Sequence, residues 1–382
     1  MKKEVDVVIL GAGASGLMLG ALLKNKDFLI IDNNPNIGAK ILVSGGGRCN
    51  ITNGNVMPKN FVGEQGFVRN VIKRFDQHAL LAWLAERRLE PIVRKNHQYF
   101  CESSSKELVY VFQKAISSRN IQLNTSIENV KKVANGFEVY TSKGKVKTKK
   151  VVVATGGLSF PKLGATSIGY DIAKSFGHEV TTLSAGLVGF TVQPNEFFFK
   201  TLSGVATDVK IKVGEKEINA SLLFTHKGIS GPAVLDASLY WQKGKIEIDF
   251  MPNLNINSLK SSNKNISRVL GLASRVAKTF LDKLNIEDKT CSKLSSEEWT
   301  KIESFKSYSF APAGTFGYSK AEVTKGGVML NDIDDSSMMS SKVDGLYFLG
   351  EVLDVTGELG GYNFQWAFSS AYVCAKGLEN KL

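Results

Sequence analysis

The run Val5-Asp6-Val7-Val8-Ile9-Leu10 carries a single polar position, and so predicts a strand buried on both faces. Gly11-Ala12-Gly13-Ala14-Ser15-Gly16 follows at once, then an apolar helical run from Leu17 to Leu23. Phe28-Leu29-Ile30-Ile31 predicts a second buried strand, ending on Asp32. The order is strand, tight turn, helix, strand, with an acid roughly 20 residues after the first glycine. Gly11 suits the turn, Gly13 the close approach of a pyrophosphate, and Gly16 the packing of helix on sheet. The helix N-terminus offers free N–H groups and a partial positive charge to phosphates. Asp32 can accept hydrogen bonds from a ribose diol.

Further along, apolar spacings of three and four predict two helices within Phe67–Arg88 and another over Lys106–Ser118. Ile121 to Val153 alternates apolar and polar positions through turns at Ala134-Asn135-Gly136 and Ser142-Lys143-Gly144, the pattern of an antiparallel meander. It ends in Val151-Val152-Val153-Ala154-Thr155-Gly156-Gly157, a returning strand with a glycine end. Gly169 to Gly177 reads as helix. From Ser184 the character changes to short strands. Pro232 then opens a helix to Tyr240, a strand follows over Ile246–Phe250, and Asn253 to Ser307 is polar, Lys-rich and largely helical in pattern. Ala321 to Val328 returns to the earlier style. Gly345 to Glu351 predicts a short buried strand ending in glycine and acid, and Gly357 to Asn363 opens a last helix, Phe364 to Leu378. The expected architecture is an α/β fold. A discontinuous Rossmann-like domain spans 1–184 and 310–382, with an insert at 185–309 that is β-rich over 185–252 and helical over 253–309.

Composition narrows the classes. The chain has 382 residues, of which 43% are hydrophobic, enough for two or three globular cores. No apolar run reaches the roughly 20 residues of a membrane span. The first strand begins almost at once, so no signal peptide is expected. Cys49, Cys101, Cys291 and Cys374 form no CxxC pair, and the four histidines show no metal spacing. No metal site is expected, and a reducing, cytoplasmic setting fits. The net charge is +12 and the pI about 9.3. Lys143, Lys145, Lys147, Lys149 and Lys150 cluster beside one turn, and more bases lie between Lys260 and Lys306. This excess is either a solvated face or a footprint for a polyanion.

Two stretches carry further chemistry. In Ser44-Gly45-Gly46-Gly47-Arg48-Cys49-Asn50, three successive glycines suit a backbone lying flat against a ligand, with exposed N–H groups forming an anion nest. Arg48 can pair with phosphate, and Asn50 and Asn53 can reach a ribityl chain or ring edge. Phe224-Thr225-His226-Lys227-Gly228 places a histidine before a helix N-terminus. His226 is therefore the first candidate for proton transfer, because it titrates near neutral pH, and Cys49 is the second.

At these residues the chain resembles the BaiN/YhiN-type flavoproteins, also labelled the aminoacetone oxidase family of FAD-binding enzymes. The resemblance covers nearly the whole chain. It rests on GAGASG at Gly11–Gly16, KILVSGGGRCNITN at Lys40–Asn53, VVVATGG at Val151–Gly157, FTHKGISGP at Phe224–Pro232, AEVTKGGV at Ala321–Val328 and GEVLDVTGELGGYNFQWA at Gly350–Ala367. It implies an FAD domain like that of glutathione reductase, with an inserted β-barrel and helical bundle. It implies FAD held on its adenosine and phosphate side by Gly11, Gly13, Ala14, Ser15, Gly16, Asp32 and Asn33. Lys40, Ser44, Gly45, Gly46, Gly47, Arg48, Asn50, Ile127, Ala154, Thr155, Gly156, Gly350, Glu351, Gly360, Gly361, Tyr362 and Asn363 would hold the rest. The sequence departs from the family where Ser167-Ile168-Gly169 replaces a common Gly-Asp-Gly turn, and where Leu187-Val188-Gly189-Phe190 lacks a usual proline.

The expected function is that of an FAD-dependent oxidoreductase. FAD supplies the hydride chemistry itself. Only one glycine-rich turn has the strand and acid context, so NAD(P)H, if it is the reductant, is expected to dock transiently. Two substrate classes stay open: a small molecule, or a ribosomal RNA uridine reduced to dihydrouridine. A redox-sensing FAD-binding module on a polyanion is the third reading.

Overall fold

The computed structural model describes residues 3–23 and 26–380. Two compact units emerge, Met1–Ser184 with Val323–Leu382, and Ala185–Glu322. Each has its own apolar core.

The first unit is built on a seven-stranded mixed sheet. Glu4–Leu10 pairs in parallel with Phe28–Ile31 on one side and with Gly144–Val153 on the other. Ile121–Gln122 extends one edge in parallel, and Leu346–Phe348 pairs in parallel with 151–153. The ten-residue strand Gly144–Val153 explains how one sheet holds both pairing modes. Its first half alternates, with Val146 and Thr148 buried and Lys145, Lys147 and Lys149 exposed. That half pairs antiparallel with Gly136–Thr141, as a one-sided meander should. Its second half, Val151-Val152-Val153, is buried on both faces and joins the parallel core. Val8, Ile9 and Leu10 are likewise fully buried. Each such side chain contributes about 1.5–3 kcal/mol by leaving water.

The helices pack where the apolar spacing predicts. The Phe67–Arg88 stretch divides into Gln65–Arg74 and Gln77–Ala85, because Asp76 caps the second helix by accepting the Ala79 amide at 2.9 Å. The C-terminal helix Tyr362–Asn380 packs on the first helix, Ala14–Leu22.

The second unit differs from expectation in three ways. Its seven strands pair in an open order rather than as a closed barrel. The two edge strands, Tyr308–Phe310 and Gly314–Thr315, are successive in the chain, so the covalent link 311–313 brings the edges together. Those strands also carry the unit beyond residue 309, to Glu322. The stretch 253–309 holds only two α-helices, Ser274–Leu284 and Ser296–Glu303, among 3-10 turns. Its asparagines compete with helix by bonding nearby backbone, as Asn255 does in accepting the Asn257 amide at 3.1 Å. The core is aromatic, with Phe280 stacked on Phe305 at 4.0 Å and Phe305 on Tyr308 at 5.5 Å.

Among the described residues, no helix is long and apolar enough to cross a membrane, and no group of three or more His, Cys, Asp or Glu is placed to hold a metal.

Candidate functional site

The glycine-rich turn is fixed by packing on all sides but one. Gly11 has φ 111°, and a Cβ there would lie 2.5 Å from the Ala154 carbonyl oxygen. A Cβ on Gly16 would lie 2.0 Å from the Gly11 carbonyl oxygen. These two glycines are required by the protein itself. Gly13 is not: its φ is −83° and a Cβ would meet nothing within 4 Å. The open face above Gly13 sits at the N-terminus of Ala14–Leu22, where free N–H groups favour an anion.

Asp32 closes this turn from below. Its Oδ2 accepts the Ala12 amide at 2.6 Å, and its Oδ1 accepts the Asn34 amide at 2.7 Å and Asn34 Nδ2 at 3.0 Å. A carboxylate offers about four lone-pair positions. Three are filled, leaving one for a ribose hydroxyl. The Thr125 amide donates to the Asp32 carbonyl at 3.0 Å, so the segment leading to Ile127 runs beside Asp32. Asn33 turns away, donating to the Gly164 carbonyl at 3.0 Å.

A second group joins residues far apart in the chain. Lys40 Nζ pairs with Glu351 Oε2 at 2.6 Å and with Ser159 Oγ at 2.8 Å. Glu351 Oε1 accepts the Thr324 amide at 2.8 Å. Gly350 is gripped on both sides of its peptide: its N–H donates to Ser370 Oγ at 3.0 Å, and its carbonyl accepts Trp366 Nε1 at 3.1 Å. A Cβ on Gly350 would strike Ser15 Oγ at 2.7 Å, so the two ends of the chain meet there. Beside them, Thr155 Oγ1 is buried with no hydrogen-bond partner. It packs against Gly169, where a Cβ would lie 2.1 Å from it, so this hydroxyl faces the helix Ile168–Ser175.

The third group is the triple-glycine stretch and what lines it. Gly45, Gly46 and Gly47 all lie in the left-handed region, at φ 55°, 66° and 83°. Side chains rarely adopt that conformation three times in succession. The strand Asn50–Asn53 follows and pairs with Gln98–Phe100. The Asn50 and Gln98 amides meet at 2.9 Å, and Asn53 Nδ2 donates to the Gly360 carbonyl at 3.1 Å. A Cβ on Gly361 would lie 2.5 Å from Thr52 backbone, so the 360–361 turn lies directly on this strand. Ser44 Oγ donates to the Ile41 carbonyl, and Arg48 is exposed. Tyr362 and Asn363 contribute differently than expected. The Tyr362 ring packs edge-on against Phe61 at 5.9 Å, and the Asn363 amide is spent on both backbone groups of Gly357.

The two proton-transfer candidates fare differently. Cys49 is fully buried, and burial pushes its thiol up to about 12, against the smaller opposing effect of a hydrogen bond from Ser44. Near neutral pH it stays a thiol and reaches no solvent, which excludes it as a base or nucleophile but leaves it the proton that a donor needs. His226 is exposed at the tip of the turn between Lys216–Thr225 and Gly228–Ser230. Thr225 Oγ1, not His226, holds that turn by accepting the Gly228 amide at 3.2 Å.

Within the first unit, the glycine turn, Asp32, 44–50, 154–156, 350–351 and 360–361 gather as one set. Gln98, Ser159, Thr324, Trp366 and Ser370 support them; Thr324 and Trp366 lie in the quoted motifs without having been assigned to the site, and the other three lie outside them. Trp366 and Ser370 had a signal: with Tyr362 they recur at every fourth position, one face of the last helix.

Comparisons with known proteins agree with this geometry. Residues 5–377 match the family model for the HI0933-like protein Rossmann domain. The chain is 38% identical, over all of both sequences, to a protein of Haemophilus influenzae named ribosomal RNA dihydrouridine synthase. It is 28% identical to a 3-dehydro-bile acid delta(4,6)-reductase of Clostridium scindens, covering 96% of this chain and 97% of that protein. Among solved structures, a quinol–fumarate reductase with menaquinol molecules shares the fold with a TM-score of 0.54 at 12% identity, covering 100% of this chain and 72% of that one.

Proposed function

The chain belongs to the HI0933-like Rossmann family, whose members are FAD-dependent oxidoreductases, and on that premise we propose that it reduces a uridine of ribosomal RNA to dihydrouridine. The observation that carries this reading is the 38% identity, over the full length of both chains, to a protein named for that activity.

The residues present fit FAD. The open face at Gly13 and the one remaining acceptor position on Asp32 each await a ligand group. Gly11–Gly16 and Asp32 would hold the adenosine and pyrophosphate half. Gly45–Asn50, Gly350–Glu351 and Gly360–Gly361 would border the flavin half. When bound and reduced, FAD supplies a hydride to a C=C bond conjugated with a carbonyl. In uracil the accepting carbon is C6, which lies β to the C4 carbonyl. A proton must then reach C5, and the protein must stabilise negative charge developing on O4. Backbone N–H groups of the triple-glycine stretch are suited to such charge. His226 is the titratable candidate for the proton.

NAD(P)H would serve as a reductant that docks transiently. Among the described residues, one strand, glycine-rich turn and helix has an acid after it, and Asp32 occupies that place.

The test is the dihydrouridine content of ribosomal RNA, measured by nucleoside mass spectrometry from cells with and without this protein. Loss of one dihydrouridine, restored by the purified holoenzyme with a reductant, is expected. Identical content would discard the RNA reading. A conjugated small-molecule alkene, as the 28% identical reductase suggests, would then be the substrate class to screen.

A further inference from the structure

Arg94, Lys95, Asn96 and His97 form a turn between two strands, Ile92–Val93 and Gln98–Phe100, and all four are exposed. Asn96 and His97 both have φ 58°, a left-handed conformation that costs energy for residues with a side chain. The surroundings fix it. The Arg94 amide donates to the Gln98 carbonyl at 2.8 Å, and the Gly54 amide to the His97 carbonyl at 2.8 Å. Asn53 Nδ2 lies 3.1 Å from both the Asn96 carbonyl and the Gly360 carbonyl. One side-chain amide thus ties this turn to the 360–361 turn.

The turn is also tied to the triple-glycine stretch. The Arg94 guanidinium sits 5.3 Å from the Phe100 ring centroid, and that ring lies 3.1 Å from where a Gly45 Cβ would stand. Arg48 is exposed on the same stretch, and its carbonyl accepts the Cys101 amide at 3.0 Å. Among the described residues, Arg48, Arg94 and Lys95 have no carboxylate within ion-pair distance. Lys145 and Lys149 on the meander are, by contrast, paired with Glu138 and Asp6.

We propose that the 94–97 turn, with Arg48, is a phosphate-gripping lip of the site, holding the RNA strand that flanks the reacting uridine. This rests on the RNA reading above. An unstacked base must be held out of its helix, and contacts to the flanking phosphates position it. Arginine on an aromatic face keeps its fork pre-organised for phosphate. A fixed turn holds these cations without the ordering cost of a loose loop. A small neutral substrate would gain nothing from such a rim.

The experiment compares the holoenzyme with Arg94→Glu/Lys95→Glu, and with Arg94→Gln/Lys95→Gln as the milder variant. Binding to ribosomal RNA isolated from cells lacking the protein is measured across a KCl series. The expected result is weaker binding by at least about 10-fold at low salt, with the log–log salt slope reduced by roughly 1–2, two phosphate contacts' worth. Flavin content and its reduction by dithionite should be unchanged. Arg94→Lys/Lys95→Arg should restore the slope. Unchanged affinity and slope in variants of a wild type that does bind RNA overturn the lip. A raised KM for NADPH with an unchanged RNA slope also overturns it, and assigns the cations to a nucleotide reductant. A wild type with no salt-dependent RNA binding and no dihydrouridine activity overturns the RNA reading itself, and the lip with it.

Discussion

The Asp32 carboxylate accepts the Ala12 amide at 2.6 Å, joining the end of the second strand to the middle of the glycine-rich turn. The acid thus shapes the phosphate loop before it touches any ribose. Hydrogen bonds to a charged group contribute about 1.5–3 kcal/mol each. Asp32→Asn keeps the shape but sets an NH2 group against an amide donor. It should weaken FAD binding by roughly 10–100-fold, read by titrating apoprotein with FAD and following flavin fluorescence. Unchanged affinity would remove Asp32 from the site.

Gly13 and Gly16 separate binding from folding. Gly13→Ala meets nothing in the protein and keeps an ordinary φ, so stability should hold or rise by up to about 1 kcal/mol. FAD retention should nevertheless be lost, because the methyl group fills the space a phosphate needs. Gly16→Ala places a Cβ 2.0 Å from the Gly11 carbonyl oxygen and should destabilise the apoprotein as well. Thermal melts of both apoproteins, alongside their flavin content, give the comparison. Equal loss of stability in the two variants would refute it.

The four cysteines are free and buried. Burial raises the thiols of Cys49 and Cys101, to about 12 and about 11. A thiol-reactive chromophore at pH 8 should find no fast-reacting group in the native protein and all four after denaturation. A fast native phase lost in Cys49→Ala would return Cys49 to the list of reactive groups.

His226 is exposed at a turn held by Thr225, so removing its imidazole should leave stability within about 0.5 kcal/mol. If it delivers the proton, His226→Asn should lower turnover by roughly 100-fold or more while flavin reduction proceeds unchanged. Turnover and reduction both at wild-type levels would assign the proton to another donor.

His178 sets a pH dependence of stability. It is 3% exposed, its Nε2 lies 2.8 Å from Ser340 Oγ, and burial lowers its pKa. Asp332 opposes that shift and Lys342 adds to it. Because the folded-state value lies below the ordinary one near 6.5, the unfolded chain takes up the proton first. The contribution is therefore complete above that pH and lost as pH falls below it. The melting temperature should drop between pH 7 and pH 5 more in the wild type than in His178→Gln. Parallel curves would show that other groups dominate.

Local pattern alone determined the first strand, the glycine turn, the first helix and Asp32. Their signals are continuous, and each element needs only its own residues and immediate neighbours. The polarity switch inside Gly144–Val153 was equally readable, as alternation giving way to three valines. Long-range geometry decided the rest. No spacing reveals that Lys40 meets Glu351, 311 residues away, or that Trp366 and Ser370 of the last helix grip Gly350, because those partners meet only in the folded chain. Folding also set the Asn363 amide on Gly357 and the Tyr362 ring on Phe61, and buried Cys49 within a motif that looked reactive. It also made a fixed basic rim of Arg94–His97, four ordinary polar residues until Asn53 ties their backbone to Gly360. Sequence specifies which groups are present, but their burial and partners, which set their chemistry, are properties of the packed chain.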